Sequence, residues 1–323
     1  MSYDLAGLKI EAGSKKHGFL VVGETATDEV KIPLMVVNGS SPGPTLCLVA
    51  GTHATEYAGI VAATEMYCNS DPKSLSGRLI IIPVLNMPSF QDRIPYVCKI
   101  DNLNLSTVFP GDKTGTMSYL IAYETYEKVF KKANYIIDLH GGEIGEEMMS
   151  ITIFAKTGDE KIDAQCETMA KAFPTKYVLV SSNHRKAKSK YGSLTDVACL
   201  NGIPSIVSEA GHSGRLKRED VDFHVKGITN VMKILKMVEG HPEKYEEQRS
   251  LERFDVKAKR GGIFHAQVRM GDRIKEGEFL GEIKNVFGET LEKVYSPGNG
   301  VVYLFKYCPV VNSGDRLYGL GLF

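Results

Sequence analysis

Two histidines in this chain are each followed three positions later by a glutamate: His53 by Glu56 in GTHATEYAG, and His140 by Glu143 in IIDLHGGE. On a turn that enters a helix, a spacing of three puts both side chains on one side, and an imidazole nitrogen beside a carboxylate oxygen is a natural ligand set for zinc. Taken singly, each pair fits an ordinary polar turn better than a metal site. A catalytic zinc, however, takes three protein ligands and keeps one position open. His53, His140 and Glu209 each stand where an apolar run stops, after TLCLVAG, NYIIDL and IPSIVS. Ligands in α/β proteins gather at the carboxyl ends of strands, and three such endings are harder to obtain by chance than one motif. Asp138, two residues before His140, shares its face of the strand; it could orient the histidine or cap a neighbouring loop.

These residues need a sheet to bring them together, and the chain reads as one. GFLVVGE, KIPLMVV and TLCLVAG are strand-like runs, with the turn signal NGSSPGP between the second and third. The helical pattern EYAGIVAATEMY follows, then the continuous apolar run GRLIIIPVLN, typical of a strand buried on both faces. Helices over 118–133 and 162–173 lead into the strands NYIIDLH and KYVLVSS, then GIPSIVSEAG, and a last helix falls near 220–239. This alternation predicts a mixed, mostly parallel α/β sheet flanked by helices. Beyond a charged connector with Pro242 the pattern changes to short strands and many glycines, and Gly-Asp-Arg-Ile at 271–274 is echoed by Gly-Asp-Arg-Leu at 314–317. We therefore divide the chain into an α/β unit, 1–250, and a small all-β, internally duplicated unit, 251–323.

Lys+Arg and Asp+Glu each total 39 in 323 residues, so the net charge is zero. Such a balance leaves no electrostatic footprint for nucleic acid or an anionic membrane and suits a small-molecule partner. The opening MSYDLAGLKIEAGSKK lacks the apolar core of a secretion signal, the longest aliphatic stretch, LIIIPVL at 79–85, is far too short to span a bilayer, and the six cysteines form no C-x-x-C pair. The expectation is a cytoplasmic protein with free thiols; a homo-oligomer stays open.

Five segments in this order, GTHATEYAG, LNMPSFQDR, DNLNLSTVFPG, IIDLHGG and SEAG, resemble the succinylglutamate desuccinylase and aspartoacylase family, a branch of the zinc carboxypeptidase superfamily. The resemblance covers about residues 20–240. It implies a zinc carboxypeptidase-like fold and one Zn2+ per chain held by His53, Glu56 and His140. It also implies Glu209 as general base and then general acid, with Arg93 of NMPSFQDR polarising the carbonyl. One departure stands out: where the family pattern has Asn-Arg to hold a substrate carboxylate, this chain has Ser106-Thr107, and Phe109-Pro110-Gly111 keeps the register. Hydroxyls carry no charge, so a guanidinium clamp is missing there. Either another cation does this work, with Arg185, Lys186 and Lys188 in NHRKAKSKYG as candidates, or the substrate is not an N-acyl amino acid of the usual kind.

The tail resembles the barrel-sandwich fold of lipoyl and biotinyl carrier domains, but Lys284 in EIKNVFGE lacks the flanking methionines of a biotin site. It reads as an appendage that frames the active-site mouth or an oligomer contact. The sequence thus points to a zinc-dependent amidohydrolase acting on a small N-acylated amine or modified amino acid. A metallocarboxypeptidase and a catalytically idle metal-binding protein are the competing readings.

Overall fold

The computed structural model describes residues 2–182 and 190–323. Arg185, Lys186 and Lys188 therefore lie outside the described residues. The described strands build one mixed sheet of 13 strands and a separate antiparallel sheet of four near the C-terminus, besides a short hairpin at the start. At the centre of the large sheet the strands Ser41–Ala50, Tyr135–His140 and Ser205–Glu209 run parallel to one another. Leu46, Leu48, Ile136, Ile137 and Ile206 are fully buried there. At roughly 1.5–3 kcal/mol for each fully buried aliphatic side chain, this is the rigid platform whose edges carry the polar residues.

Register alone aligns two of the residues picked out above. Glu209 pairs with His140 and Val207 with Asp138, and paired residues on neighbouring strands face the same side of a sheet. Asp138, His140 and Glu209 thus share one face. Helix Tyr57–Asn69 packs close against the strand Tyr135–His140 because Gly59 has no side chain; a Cβ there would lie 2.9 Å from Leu139 Cβ. The glycine after His140 serves a similar close approach, since a Cβ on Gly141 would lie 2.3 Å from the carbonyl oxygen of Ala210.

The helix expected over 118–133 ends earlier, at Lys128, because Val129 leaves helical geometry (φ −121°) and a short 3-10 turn, Phe130–Lys132, follows. Strands Glu146–Met148 and Ile151–Ala155 and helix Leu194–Leu200 were not read from the sequence. That helix has seven residues, too few for its period to show, although Ser193 caps it by accepting from the Asp196 amide.

From Arg249 onward the secondary structure is all strand. The strand Arg249–Lys257 pairs in parallel with Tyr177–Ser181, so hydrogen bonding is continuous from the α/β part into the tail. The Gly-Asp-Arg echo is structural. Gly271 and Gly314 have φ of 91° and 92°, and Asp272 and Asp315 accept from the amides of Arg269 and Asn312, each three residues back. Lys284 closes the strand Phe279–Lys284 and pairs with Glu282 at 3.0 Å. No helix among the described residues is long and apolar enough to cross a membrane.

Candidate active site

Gly51, at φ +62°, turns the chain out of the strand Ser41–Ala50 and into the loop that carries His53. Glu56 occupies the N-cap position of helix Tyr57–Asn69 but makes no cap hydrogen bond. Its carboxylate is turned to the histidines instead: Oε1 lies 2.9 Å from His53 Nδ1 and Oε2 lies 2.8 Å from His140 Nδ1. The two rings are 5.0 Å apart. One donor atom from each of His53, Glu56 and His140 falls within 4.8 Å of the others, the one such group of three among the described residues.

The far side of each imidazole is also held. His140 Nε2 lies 3.2 Å from Asp138 Oδ2, and His53 Nε2 lies 3.2 Å from Asn104 Oδ1 and 3.3 Å from Ser106 Oγ. Asn104 caps the 3-10 turn Leu105–Thr107 by accepting from the Ser106 amide, so this turn is built onto His53. The role of Asn104 was not read from the sequence. The second H-x-x-E pair serves differently: buried Glu143 accepts from the Thr55 hydroxyl and from the amides of Tyr96 and Ile144. It braces the His53 loop.

Electrostatics mark the cluster as a place for positive charge. Burial pushes Glu56 up, yet the two histidines outweigh it and bring it down to about 2. Burial opposes charge on both imidazoles, but Glu56, and at His140 first Asp138, hold them above their ordinary range. A divalent cation would replace those protons. Two imidazole nitrogens and a buried carboxylate are a fitting donor set for zinc, with Asp138 behind one ligand as orienting carboxylate. Two buried oxygens without partners, Asp138 Oδ1 and Glu209 Oε2, add unspent negative potential. Burial raises Glu209 to about 7, helped by the charge of Glu56 and opposed by His140.

These groups line one cavity of about 630 Å³, shared with Ser106 and Thr107 and with Arg253, Tyr303 and Arg316 of the tail. Arg93 is not part of it. The segment after Asn86 forms the short helix Met87–Phe90 and then carries residues 91–93 outward, leaving Arg93 exposed at φ +56°. Among the described residues, the cations of the cavity come from the C-terminal strands. Their signal in the sequence is the alternation Arg253, Asp255, Lys257, which puts three charges on one face of a strand.

The family model of the succinylglutamate desuccinylase/aspartoacylase catalytic domain matches residues 42–235, more than half of the chain. The chain belongs to this family. A relative in Halomonas elongata, N-alpha-acetyl-L-2,4-diaminobutyric acid deacetylase, is 25% identical across 97% of this chain and 93% of its own length. A solved succinylglutamate desuccinylase/aspartoacylase from Rhodobacter sphaeroides superposes with a TM-score of 0.84 at 25% identity, covering 97% of this chain and 98% of that one. The product-bound ectoine utilization protein EutE (DoeB) from Ruegeria pomeroyi shares the fold, with a TM-score of 0.86 at 24% identity and coverage of 97% and 98%. The fold of this chain is thus shared with both solved structures.

If Asp138 fixes the orientation of His140, Asp138→Asn is expected to weaken zinc binding about 10- to 100-fold. Competition against a chelator of known affinity reads this directly, and an unchanged affinity would show that Asp138 only fills space.

Proposed function

We propose that this protein is a zinc-dependent deacylase that hydrolyses the linear amide bond of a small N-acylated amine or amino acid. The observation that carries the reading is the meeting of His53, Glu56 and His140 donors with the half-buried carboxylate of Glu209 in one cavity. His53, Glu56 and His140 would hold the metal, one per chain. Bound there, zinc supplies Lewis acidity, which makes water nucleophilic near neutral pH and polarises a carbonyl.

The chain's own residues supply the rest. Glu209, lifted to about 7 by burial, accepts a proton from the attacking water and returns it to the leaving nitrogen, as a group with a pKa near working pH does best. Asp138 holds the His140 ring from its far side, and Asn104 and Ser106 do the same for His53. The relative's activity on an acetylated diamino acid supports a small N-acyl substrate. In this reading 1–250 is the catalytic unit and 251–323 an all-β appendage that closes the cavity, in a protein that works in the cytoplasm.

The test is a substrate screen on zinc-loaded protein, with N-acetyl and N-succinyl derivatives of amino acids and of simple amines. Release of acylate and free amine from at least one class is expected. Inactivity on all of them, together with cleavage of C-terminal residues from peptides, would replace this reading by a carboxypeptidase.

A further inference from the structure

With Ser106 and Thr107 at the place of the family's Asn-Arg pair, the hydroxyl turn beside His53 offers no cation to an anionic substrate. The structure offers one from the opposite end of the chain. Glu209 pairs with Ile151, Ile153 with Leu179, and Leu179 with Leu251. Each pairing keeps the side chains on one face of the sheet, and Arg253, two residues beyond Leu251, continues that face. Glu209 and Arg253 therefore look into the same cavity from strands that register aligns, although 44 positions separate them in the sequence.

The floor around Arg253 is cleared by glycine. On the last strand, Gly321 lies opposite Arg253 and Gly319 opposite Asp255. A Cβ on Gly319 would fall 2.4 Å from the Tyr303 ring, and one on Gly321 would fall 2.8 Å from Leu251. Without side chains there, the Tyr303 ring lies over the strand and its hydroxyl lies 3.4 Å from Asp255 Oδ1. The two cavity arginines are then distinguishable. Arg316 donates to the buried carboxylate of Glu146 at 3.2 Å and is already paired. Arg253 has no carboxylate within hydrogen-bond distance among the described residues; its nearest, Asp255, is 3.8 Å away and equally far from Arg316. Arg253 also interacts with the Tyr303 hydroxyl, and the remaining donors of its planar guanidinium, set in the wall of the cavity, are suited to bidentate capture of a carboxylate.

We infer that Arg253 binds a carboxylate of the substrate, so that the C-terminal strand Arg249–Lys257 sets the specificity that the Ser106-Thr107 turn does not provide. The substrate class is then an N-acyl compound bearing a carboxylate, on either its amine or its acyl side. This rests on the deacylase reading for its chemistry, while the binding claim stands by itself.

The experiment compares wild type, Arg253→Gln and Arg253→Lys, all zinc-loaded, on N-acetyl-L-alanine, N-ethylsuccinamate and N-ethylacetamide. The first carries its carboxylate on the amine side, the second on the acyl side, and the third has none. Calorimetric binding of the same three compounds is measured in a Glu209→Gln background, with and without the Arg253 changes. The wild type is expected to favour one carboxylate compound over N-ethylacetamide, and which one it favours locates the carboxylate. Losing a charge-assisted hydrogen-bonded contact typically weakens binding on the order of 10- to 100-fold, and Arg253→Gln is expected to shrink the preference by that factor. Arg253→Lys, which keeps charge but not the fork, should fall between. A preference that survives Arg253→Gln, or equal losses on all three compounds, overturns the inference. Arginine-dependent binding without any turnover by the wild type would leave it standing and would instead refute deacylation.

Discussion

Glu209→Gln is expected to keep the metal content of the wild type and to lower kcat by roughly 100- to 10,000-fold, the usual contribution of a positioned general acid–base group. Glutamine preserves size and a carbonyl acceptor at the end of the strand Ser205–Glu209, so the backbone pairing with His140 has no reason to change. What is lost is the ability to take and return a proton. The pH profile adds a second signature. As the proposed general base, Glu209 would work as the carboxylate, so activity should fall as pH drops through its pKa. Burial places that pKa at about 7, and a cation held by His53, Glu56 and His140 would shift it downward. The wild type should thus show an acid limb at or below about pH 7 that is missing from the residual rate of the variant. Steady-state kinetics with metal analysis on the same samples checks both. Wild-type turnover in a metal-replete variant would remove Glu209 from the mechanism.

The parts of this site legible in the sequence were those that apolar runs announce. His53, His140 and Glu209 are visible because each closes a hydrophobic strand, and the pairing of Glu209 with His140 puts them on one face. Of the two roles open to Asp138 in the sequence, the structure has it beside His140, at 3.2 Å. Glu56 was legible as a neighbour of His53, but its bridging of both histidines depends on helix Tyr57–Asn69 lying close to Leu139, a contact that Gly59 permits.

Less legible was everything that comes from distant pairing. Arg93 has a motif around it, yet the turn after Phe90 takes it to the surface, and no hydrophobic periodicity marks such a turn. Arg253 and Tyr303 belong to a tail that resembles an appendage, and they reach the cavity through the pairing of Arg249–Lys257 with Tyr177–Ser181 and of Gly300–Lys306 with Glu146–Met148. A strand's partner is chosen by the whole sheet, and one strand's alternation tells which residues share a face without telling what that face meets. The same limit explains the missed strand Ile151–Ala155, whose five residues sit between Tyr177–Ser181 and Ser205–Glu209.

Removing the metal is expected to have an effect as large as removing Glu209, and Glu56 is the residue through which the two can be separated. Glu56 is the shared element of the cluster, with one oxygen on each histidine. It is buried and held ionised, its pKa brought to about 2 by the histidines against the opposing push of burial. Glu56→Gln removes the negative charge and leaves the buried His140 and half-buried His53 imidazoles facing a neutral amide, so a divalent cation would lose both a ligand and its charge compensation. Chelation of the wild type should abolish turnover and added zinc should restore it, whereas zinc should restore little in Glu56→Gln. Thermal unfolding gives a readout independent of activity: a ligand present at about 1,000 times its Kd stabilises the folded state by about 4 kcal/mol. Zinc should therefore raise the Tm of the stripped wild type by several degrees and leave Glu56→Gln nearly unmoved. Undiminished turnover in thoroughly chelated protein would refute metal dependence, and an equal zinc-induced Tm shift in both proteins would place the ion somewhere other than His53, Glu56 and His140.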